Sequence, residues 1–159
     1  MTLLRALLSC ACFIAALHVA PAMAGHYRLV DVPDVVPAEH HKALAGAGVT
    51  NTEQLYERVA RKKSRRVLSK ASGVPYETLT SWAVFLDLMQ VRGIGPKMVR
   101  LLNAAGIRNL RALKRSKPGP LLEAMRKANR GFRYSRVLPD TNILGQWIRR
   151  ARSLPARLQ

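Results

Sequence analysis

Residues 91–107 read Val-Arg-Gly-Ile-Gly-Pro-Lys-Met-Val-Arg-Leu-Leu-Asn-Ala-Ala-Gly-Ile. Two glycines one residue apart, Gly93 and Gly95, predict a tight turn, because glycine reaches positive φ and puts no side chain between backbone and neighbour. Pro96 marks the first position of a helix, where its missing N–H costs nothing. Met98, Leu101, Leu102 and Ala105 fall at i, i+3, i+4 and i+7, which predicts one face turned to a core. Gly106 predicts the stop. The first amides of that helix have no intrahelical acceptor and sit at its positive end, so the turn is suited to an anion. Lys97 and Arg100, one turn apart, flank it, and Arg92 immediately precedes it.

Gly-Ile-Gly-Pro-Lys followed by Leu-Leu and Ala-Ala-Gly-Ile resembles the helix-hairpin-helix motif of DNA-binding proteins that lack sequence specificity. The resemblance implies that hairpin amides grip the phosphate backbone of double-stranded DNA. Gly93 and Gly95 would permit the approach, Ile94 would anchor the turn in the core, and Lys97 and Arg100 would supply charge. The same motif also serves as a helix-packing device in some repeat proteins. The residues therefore admit two readings, a phosphate site or a scaffold.

An offset of 58 residues reveals a second, earlier copy. Val35-Val36-Pro37-Ala38 aligns with Gly93-Ile94-Gly95-Pro96, Ala43-Leu44 with Leu101-Leu102, and Ala47-Gly48-Val49 with Ala105-Gly106-Ile107. Asn51 matches Asn109, and Leu55 matches Leu113. This unit has lost both hairpin glycines and carries Glu39 where the later copy has Lys97. Lys42, opposite Arg100, is the basic residue it keeps. Its core role is expected to survive better than any phosphate grip.

Between the copies the pattern is helical: a helix capped by Thr50 or Asn51 through about Ala60 with Leu55 and Val59 inward, and another after Pro75 with Leu79, Trp82, Leu86 and Met89 inward. Trp82 and Phe85 read as core. Arg61-Lys62-Lys63-Ser64-Arg65-Arg66 puts five cations in six residues, read either as a solvated face or as an extension of a phosphate track. After Gly106 a short helix is expected with Leu110 and Leu113 inward, then a break at Pro118-Gly119-Pro120, then a helix bearing Leu121, Leu122 and Met125. Residues 130–138 read as a loop in which Arg130, Arg133 and Arg136 interleave with Phe132 and Tyr134. That alternation suits either base stacking or packing over the core. Asp140 or Thr141 starts a final helix with Ile143, Trp147, Ala151 and Leu154 inward and Arg149, Arg150 and Arg152 outward. Only Tyr27 to Val32 hints at a strand. The expected fold is all-α: one compact helical domain with two helix-hairpin-helix units, the first degenerate, and a helical insert.

From about Leu29 to Leu154 the arrangement is similar to a bacterial family, domain of unknown function 4332. The likeness rests on Gly48-Val49-Thr50, Trp82, Asp87-Leu88-Met89, Gly93-Ile94-Gly95-Pro96 and Trp147-Ile148. It implies two hairpin units around a helical insert and a closing helix with a tryptophan. The glycine-less first hairpin departs from that pattern, as does a leader for export.

That leader is read in residues 1–24, ahead of a domain at 25–159. Arg5 precedes an apolar run from Ala6 to Leu17, and Ala22-Met23-Ala24 fits an A-x-A cleavage site. The run is short for a membrane span, which needs about 20 residues. The expected location is the periplasm or outside the cell, after cleavage behind Ala24. Both cysteines, Cys10 and Cys12, lie in the leader, so no disulfide is expected beyond it.

The 159-residue chain has a formal charge of +18 and a pI near 11.4. That is the electrostatic footprint of a nucleic-acid binder, although anionic envelope components attract the same charge. His26, His40 and His41 offer no i, i+4 pair for a metal, and His40 and His41 are expected to face solvent. The serines stand in no nucleophile setting. Asp87 and Glu123 lack the paired spacing of acid–base catalysis, and Asp31 and Asp34 read as caps or loop solvation. No enzymatic activity, cofactor, metal or small-molecule substrate is expected. The leading expectation is sequence-independent DNA binding through Arg92, Gly93, Ile94, Gly95, Lys97 and Arg100, with a secondary patch of Lys42, Arg61, Lys62, Lys63, Arg65 and Arg66. The other is a structural or protein-interaction module of the envelope.

Overall fold

Two stretches of the chain close their helices by the same hydrogen bonds, 58 residues apart. In the first, α1 (His41–Gly46) ends where Gly48 takes φ 77°, with Val49 N–H donating to Leu44 O at 2.9 Å and Gly48 N–H to Ala45 O at 2.9 Å. In the second, the helix Pro96–Ala104 ends where Gly106 takes φ 88°, with Ile107 N–H donating to Leu102 O at 2.8 Å and Gly106 N–H to Asn103 O at 3.0 Å. Both are Schellman closures, which need a residue tolerant of the left-handed region and satisfy the helix's last carbonyls. An asparagine then caps the next helix in each copy. Asn51 Oδ1 accepts from Gln54 N at 2.9 Å to start α2 (Thr52–Val59), and Asn109 Oδ1 accepts from Ala112 N at 2.8 Å to start Leu110–Arg115. The repeat read in the sequence is thus a repeat of capping chemistry.

The computed structural model describes residues 26–159. The leader read at 1–24 lies outside the described residues. Between the two copies run α3 (Lys62–Ser72), closed by Gly73 at φ 71°, and α4 (Tyr76–Met89). The second copy is α5 (Pro96–Ala104) and α6 (Leu110–Arg115), followed by α7 (Pro118–Phe132) and α8 (Thr141–Ser153). The architecture is all-α. Among the described residues the nearest thing to a strand is one bridge, Arg28 to Asn51, flanked by Leu29 N–H to Thr50 O and Thr52 N–H to Tyr27 O, both 2.9 Å. Leu29–Asp31 then coils into a short 3-10 turn, so the strand hinted at Tyr27 to Val32 does not form.

Packing follows the apolar periodicities. Helix α4 rests on α2 and α3 and touches α5; α7 packs on α5 and α8, and α8 also covers α6. Leu79, Ala83, Leu86, Leu88 and Met89 of α4 are buried together with Leu44, Leu55, Leu101, Leu102, Leu113, Met125, Leu144 and Trp147 in one core. Towards its end α4 buries Leu86, Asp87, Leu88 and Met89 consecutively, as a helix enclosed on several sides must.

Three local expectations are corrected. Pro118-Gly119-Pro120 does not break the chain but forms the first turn of α7, where the absent N–H groups of both prolines had no intrahelical acceptor to lose. That helix also runs to Phe132, taking in residues expected to be loop. In α8, capped by Asp140, the buried face is Leu144, Trp147, Ile148 and Ala151, while Ile143, at the edge of that arc, is exposed. In α5 the deepest residues are Val99, Leu101 and Leu102, with Met98 and Ala105 at the edge of the core.

Among the described residues three polar side chains are buried with this core, Thr52, Arg65 and Asp87. Asp87 is buried and accepts from the Tyr56 hydroxyl at 2.5 Å and from Leu110 N–H at 2.7 Å. It therefore ties α2 of the first copy to the opening of α6 in the second. Burial, then the hydrogen bond to Asp87 and its charge, push the Tyr56 phenol well above its ordinary pKa. Because folding raises this pKa over the unfolded value of about 10, the contribution is full below about pH 10 and is lost as pH rises beyond it. Tyr56→Phe should lower unfolding free energy by about 1–3 kcal/mol at neutral pH by leaving a buried acceptor short of a donor. It should also flatten the alkaline fall in stability, as urea titrations at pH 7 and above pH 10 would show.

Candidate functional site

The turn that enters α5 is built by what presses on it. Gly93 has φ 96°, and a Cβ there would stand 2.9 Å from Trp147 Nε1 and 3.7 Å from Arg150 Nη1. Arg150 also donates from Nη1 to Arg92 O at 2.8 Å, so α8 holds the outer side of the turn. Ile94, 3% exposed, anchors the turn, and its N–H donates to Val91 O at 3.0 Å. Gly95 is a different case. Its backbone is extended at φ −93°, open to any residue, and a Cβ there would meet the Tyr27 hydroxyl at 2.9 Å, a contact that a shift of the tyrosine side chain would relieve. The expected positive φ thus holds for Gly93 alone.

Pro96 takes the first position of α5, as expected. Among the described residues, the backbone amides of Gly95, Lys97 and Met98 have no acceptor within hydrogen-bonding distance. The first copy differs at these very positions. Pro37 replaces Gly95 and removes its donor, and the helix opens with a 3-10 turn in which His40 N–H donates to Pro37 O at 3.1 Å. The Ala38 and Glu39 amides of the first copy likewise have no acceptor among the described residues, but the Glu39 carboxylate stands where the second copy has Lys97.

The predicted cations separate into several environments. Lys97 and Arg92 are exposed beside the turn. Arg100 is not a free partner of Lys97. Its Nη2 donates to Asp34 Oδ2 at 2.6 Å and to Asp34 O at 3.0 Å, and its guanidinium lies 5.7 Å from the centre of the Phe85 ring. It joins the two copies, with 35% of its side chain exposed, and Asp34 is its counter-ion rather than a cap. Lys42 is exposed on α1, and Arg61, Lys62, Lys63 and Arg66 are exposed at the start of α3.

Arg65 leaves the secondary patch altogether. It is 2% exposed and donates to Val59 O at 2.7 Å, Thr80 Oγ1 at 3.0 Å and Gln159 O at 3.0 Å. Its guanidinium closes the carbonyl end of α2 and pins the C-terminal segment. A sequence signal existed: Arg65, Leu68 and Ser72 fall at i, i+3 and i+7, an inward stripe hidden by the surrounding charge. The histidines are corrected too. His40 packs edge-on against Trp82 at 5.3 Å, and His41 Nε2 lies 2.8 Å from Val36 O, so neither simply faces solvent.

A group the sequence placed only as a loop lies against Lys97. Lys97, Arg133, Tyr134, Ser135, Arg136 and Val137 line an open surface hollow of about 580 Å³. Among the described residues, no three His, Cys, Asp or Glu side chains gather as a metal site, and no helix is long and apolar enough to cross a membrane.

These features define an all-α, strongly basic protein of two capped helical hairpins, the second of which leaves the Gly95, Lys97 and Met98 amides without an acceptor among the described residues, beside the exposed Lys97 and Arg92. The chain belongs to the family described as Domain of unknown function (DUF4332), whose model matches residues 35–154. The match opens in the first turn and closes where α8 ends. No curated protein and no solved structure matches the chain.

Arg65→Ala should lower stability by about 2–4 kcal/mol, since several buried carbonyls lose a charged donor. Arg66→Ala, on the exposed face, should change it by less than about 0.5 kcal/mol. Gly93→Ala should destabilise by about 1–2 kcal/mol through its left-handed backbone alone, with the Trp147 contact adding to that. Chemical denaturation of the three variants checks all of this.

Proposed function

We propose that this protein binds the phosphate backbone of double-stranded DNA without sequence specificity, through a helix-hairpin-helix turn at Gly93–Lys97. The observation that carries the reading is the set of amides at Gly95, Lys97 and Met98 that have no acceptor among the described residues, at the positive end of α5 and next to the exposed Lys97. Such an end attracts a phosphate oxygen through both its N–H groups and its dipole. The exposed cations Arg61, Lys62, Lys63 and Arg66 on α3, with Lys42 and Arg92, would add long-range attraction. The first copy would act as scaffold, since Pro37 and Glu39 oppose a phosphate where the second copy has Gly95 and Lys97. Export of the protein to the periplasm or beyond, on the leader read at residues 1–24, belongs to the same reading. No enzymatic step and no cofactor is part of it.

A second reading has a specific observation behind it. Both hairpin glycines lie in close contact within the protein, Gly93 at positive φ against Trp147 and Gly95 against the Tyr27 hydroxyl. A purely structural or protein-interaction module of the cell envelope would need the same glycines, with its cations meeting anionic envelope components.

Lys97→Ala distinguishes the two without disturbing those packed glycines. In fluorescence anisotropy with the full chain and a labelled duplex, the DNA reading expects affinity to fall several-fold for any sequence. The slope of log affinity against log salt should shrink by about 1. Unchanged affinity and slope, or no duplex binding by the wild type at low salt, would sink the reading and leave the scaffold.

A further inference from the structure

The loop after α7 is built with unusual care for a surface segment. Arg133 stands at φ 47°, the one non-glycine residue of positive φ among those described. A side chain there costs about 1–2 kcal/mol, so glycine would be the easier choice. The reversal is locked by Asn129, whose Nδ2 donates to Ser135 O at 2.8 Å while its Oδ1 accepts from Ser135 N–H at 3.0 Å. Ser135 in turn donates from its hydroxyl to Val137 O at 2.7 Å.

That frame holds two aromatic rings side by side. Phe132 and Tyr134 have ring centres 5.5 Å apart, tilted by 37°. Tyr134 leans on the core, but Phe132 is 74% exposed and Val137 79% exposed. Between Glu123 and Asp140 the chain carries no acid, while Arg126, Lys127, Arg130, Arg133 and Arg136 are all basic. Lys97 lines one hollow with Arg133, Tyr134 and Arg136, and Phe132, beside the Tyr134 ring, borders a second hollow with Ala104, Ala105, Lys127 and Gly131. An exposed ring joined through Tyr134 to a hollow lined by cations has the elements that hold single-stranded nucleic acid: a stacking surface with phosphate contacts nearby.

We propose that Phe132, Arg133, Arg136 and Lys97 form a subsite for one unpaired nucleobase and its flanking phosphates. Phe132 offers its outer face to the base, and the three cations take the backbone. This inference rests on the nucleic-acid reading above and extends it from duplex backbone to unpaired strand. An anionic lipid surface fits less well. Interfacial insertion calls for a continuous apolar helix face, whereas Phe132 and Val137 stand apart with arginines between them.

The test uses the full chain with fluorescent oligo-thymidylate, a duplex of equal length, and vesicles rich in phosphatidylglycerol. Phe132 is exposed, so Phe132→Ala should keep the wild-type melting curve. The expected result is a loss of about tenfold in oligo-thymidylate affinity for Phe132→Ala, recovery in Phe132→Trp, and a duplex affinity within about twofold of wild type. Unchanged oligo-thymidylate binding in Phe132→Ala, with duplex binding still sensitive to Lys97→Ala, would overturn the subsite and leave the hairpin reading standing. Loss of vesicle binding with oligo-thymidylate binding intact would overturn it in favour of a lipid surface. Failure of the wild type to bind either nucleic acid would remove both proposals together.

Discussion

The two halves of this protein meet on one buried carboxylate. Asp87, near the end of α4, receives the Tyr56 hydroxyl from the first hairpin and the Leu110 amide from the second. A buried acid is costly unless its oxygens are occupied, and here each oxygen has a donor from a different hairpin. That requirement fixes where α6 begins relative to α2, and hence how the second hairpin is presented. Arg100 makes the matching tie at the surface, from α5 back to Asp34 in the first turn. The first hairpin, stripped of its glycines, keeps its place because the second is referenced to it.

Arginine does more structural work here than the overall charge suggests. Arg65 closes the carbonyl end of α2, Arg100 bridges the hairpins, Arg150 clamps the carbonyl of Arg92, and Arg152 Nε donates to Lys114 O at 3.1 Å. Lys114 Nζ in turn reaches Leu154 O, tying α6 to the end of α8. Carbonyl oxygens at helix ends and turns are natural acceptors for a planar guanidinium with five donors. A formal charge of +18 therefore overstates the cation supply open to a polyanion. In the proposed function the phosphate contacts fall to the lysines and arginines left exposed, with Lys97 nearest the free amides.

Capping and turn chemistry was legible because it is local. Gly48 and Gly106, Asn51 and Asn109, and Pro96 act within a few residues of themselves, so their positions in the sequence told the helix boundaries and the repeat. The core stripes of α2 and α4 were legible for the same reason. The errors came where two local signals competed. In α8 the spacing of Ile143, Trp147 and Ala151 and that of Leu144, Trp147, Ile148 and Ala151 both suit an inward stripe, and the packing chose the second, leaving Ile143 outward. Pro118 and Pro120 signalled a break but occupy a first turn, the one part of a helix that tolerates them.

The sequence by itself determined an all-α chain with two capped hairpins, a turn at Gly93–Gly95 anchored by Ile94, and a strongly basic surface. These follow from periodicity, glycine and asparagine chemistry, and the count of charges. Only the tertiary structure decided which cations remain free. Arg65 is marked in the sequence only by its i, i+3 and i+7 spacing to Leu68 and Ser72, and Arg100 by nothing, yet one is enclosed by carbonyls and the other held by Asp34, 66 residues away. It also decided that Gly95 lies against the Tyr27 hydroxyl and that the loop after Phe132 lies beside Lys97. Such contacts join segments far apart in the chain, and pattern along a sequence carries no information about distance across a core.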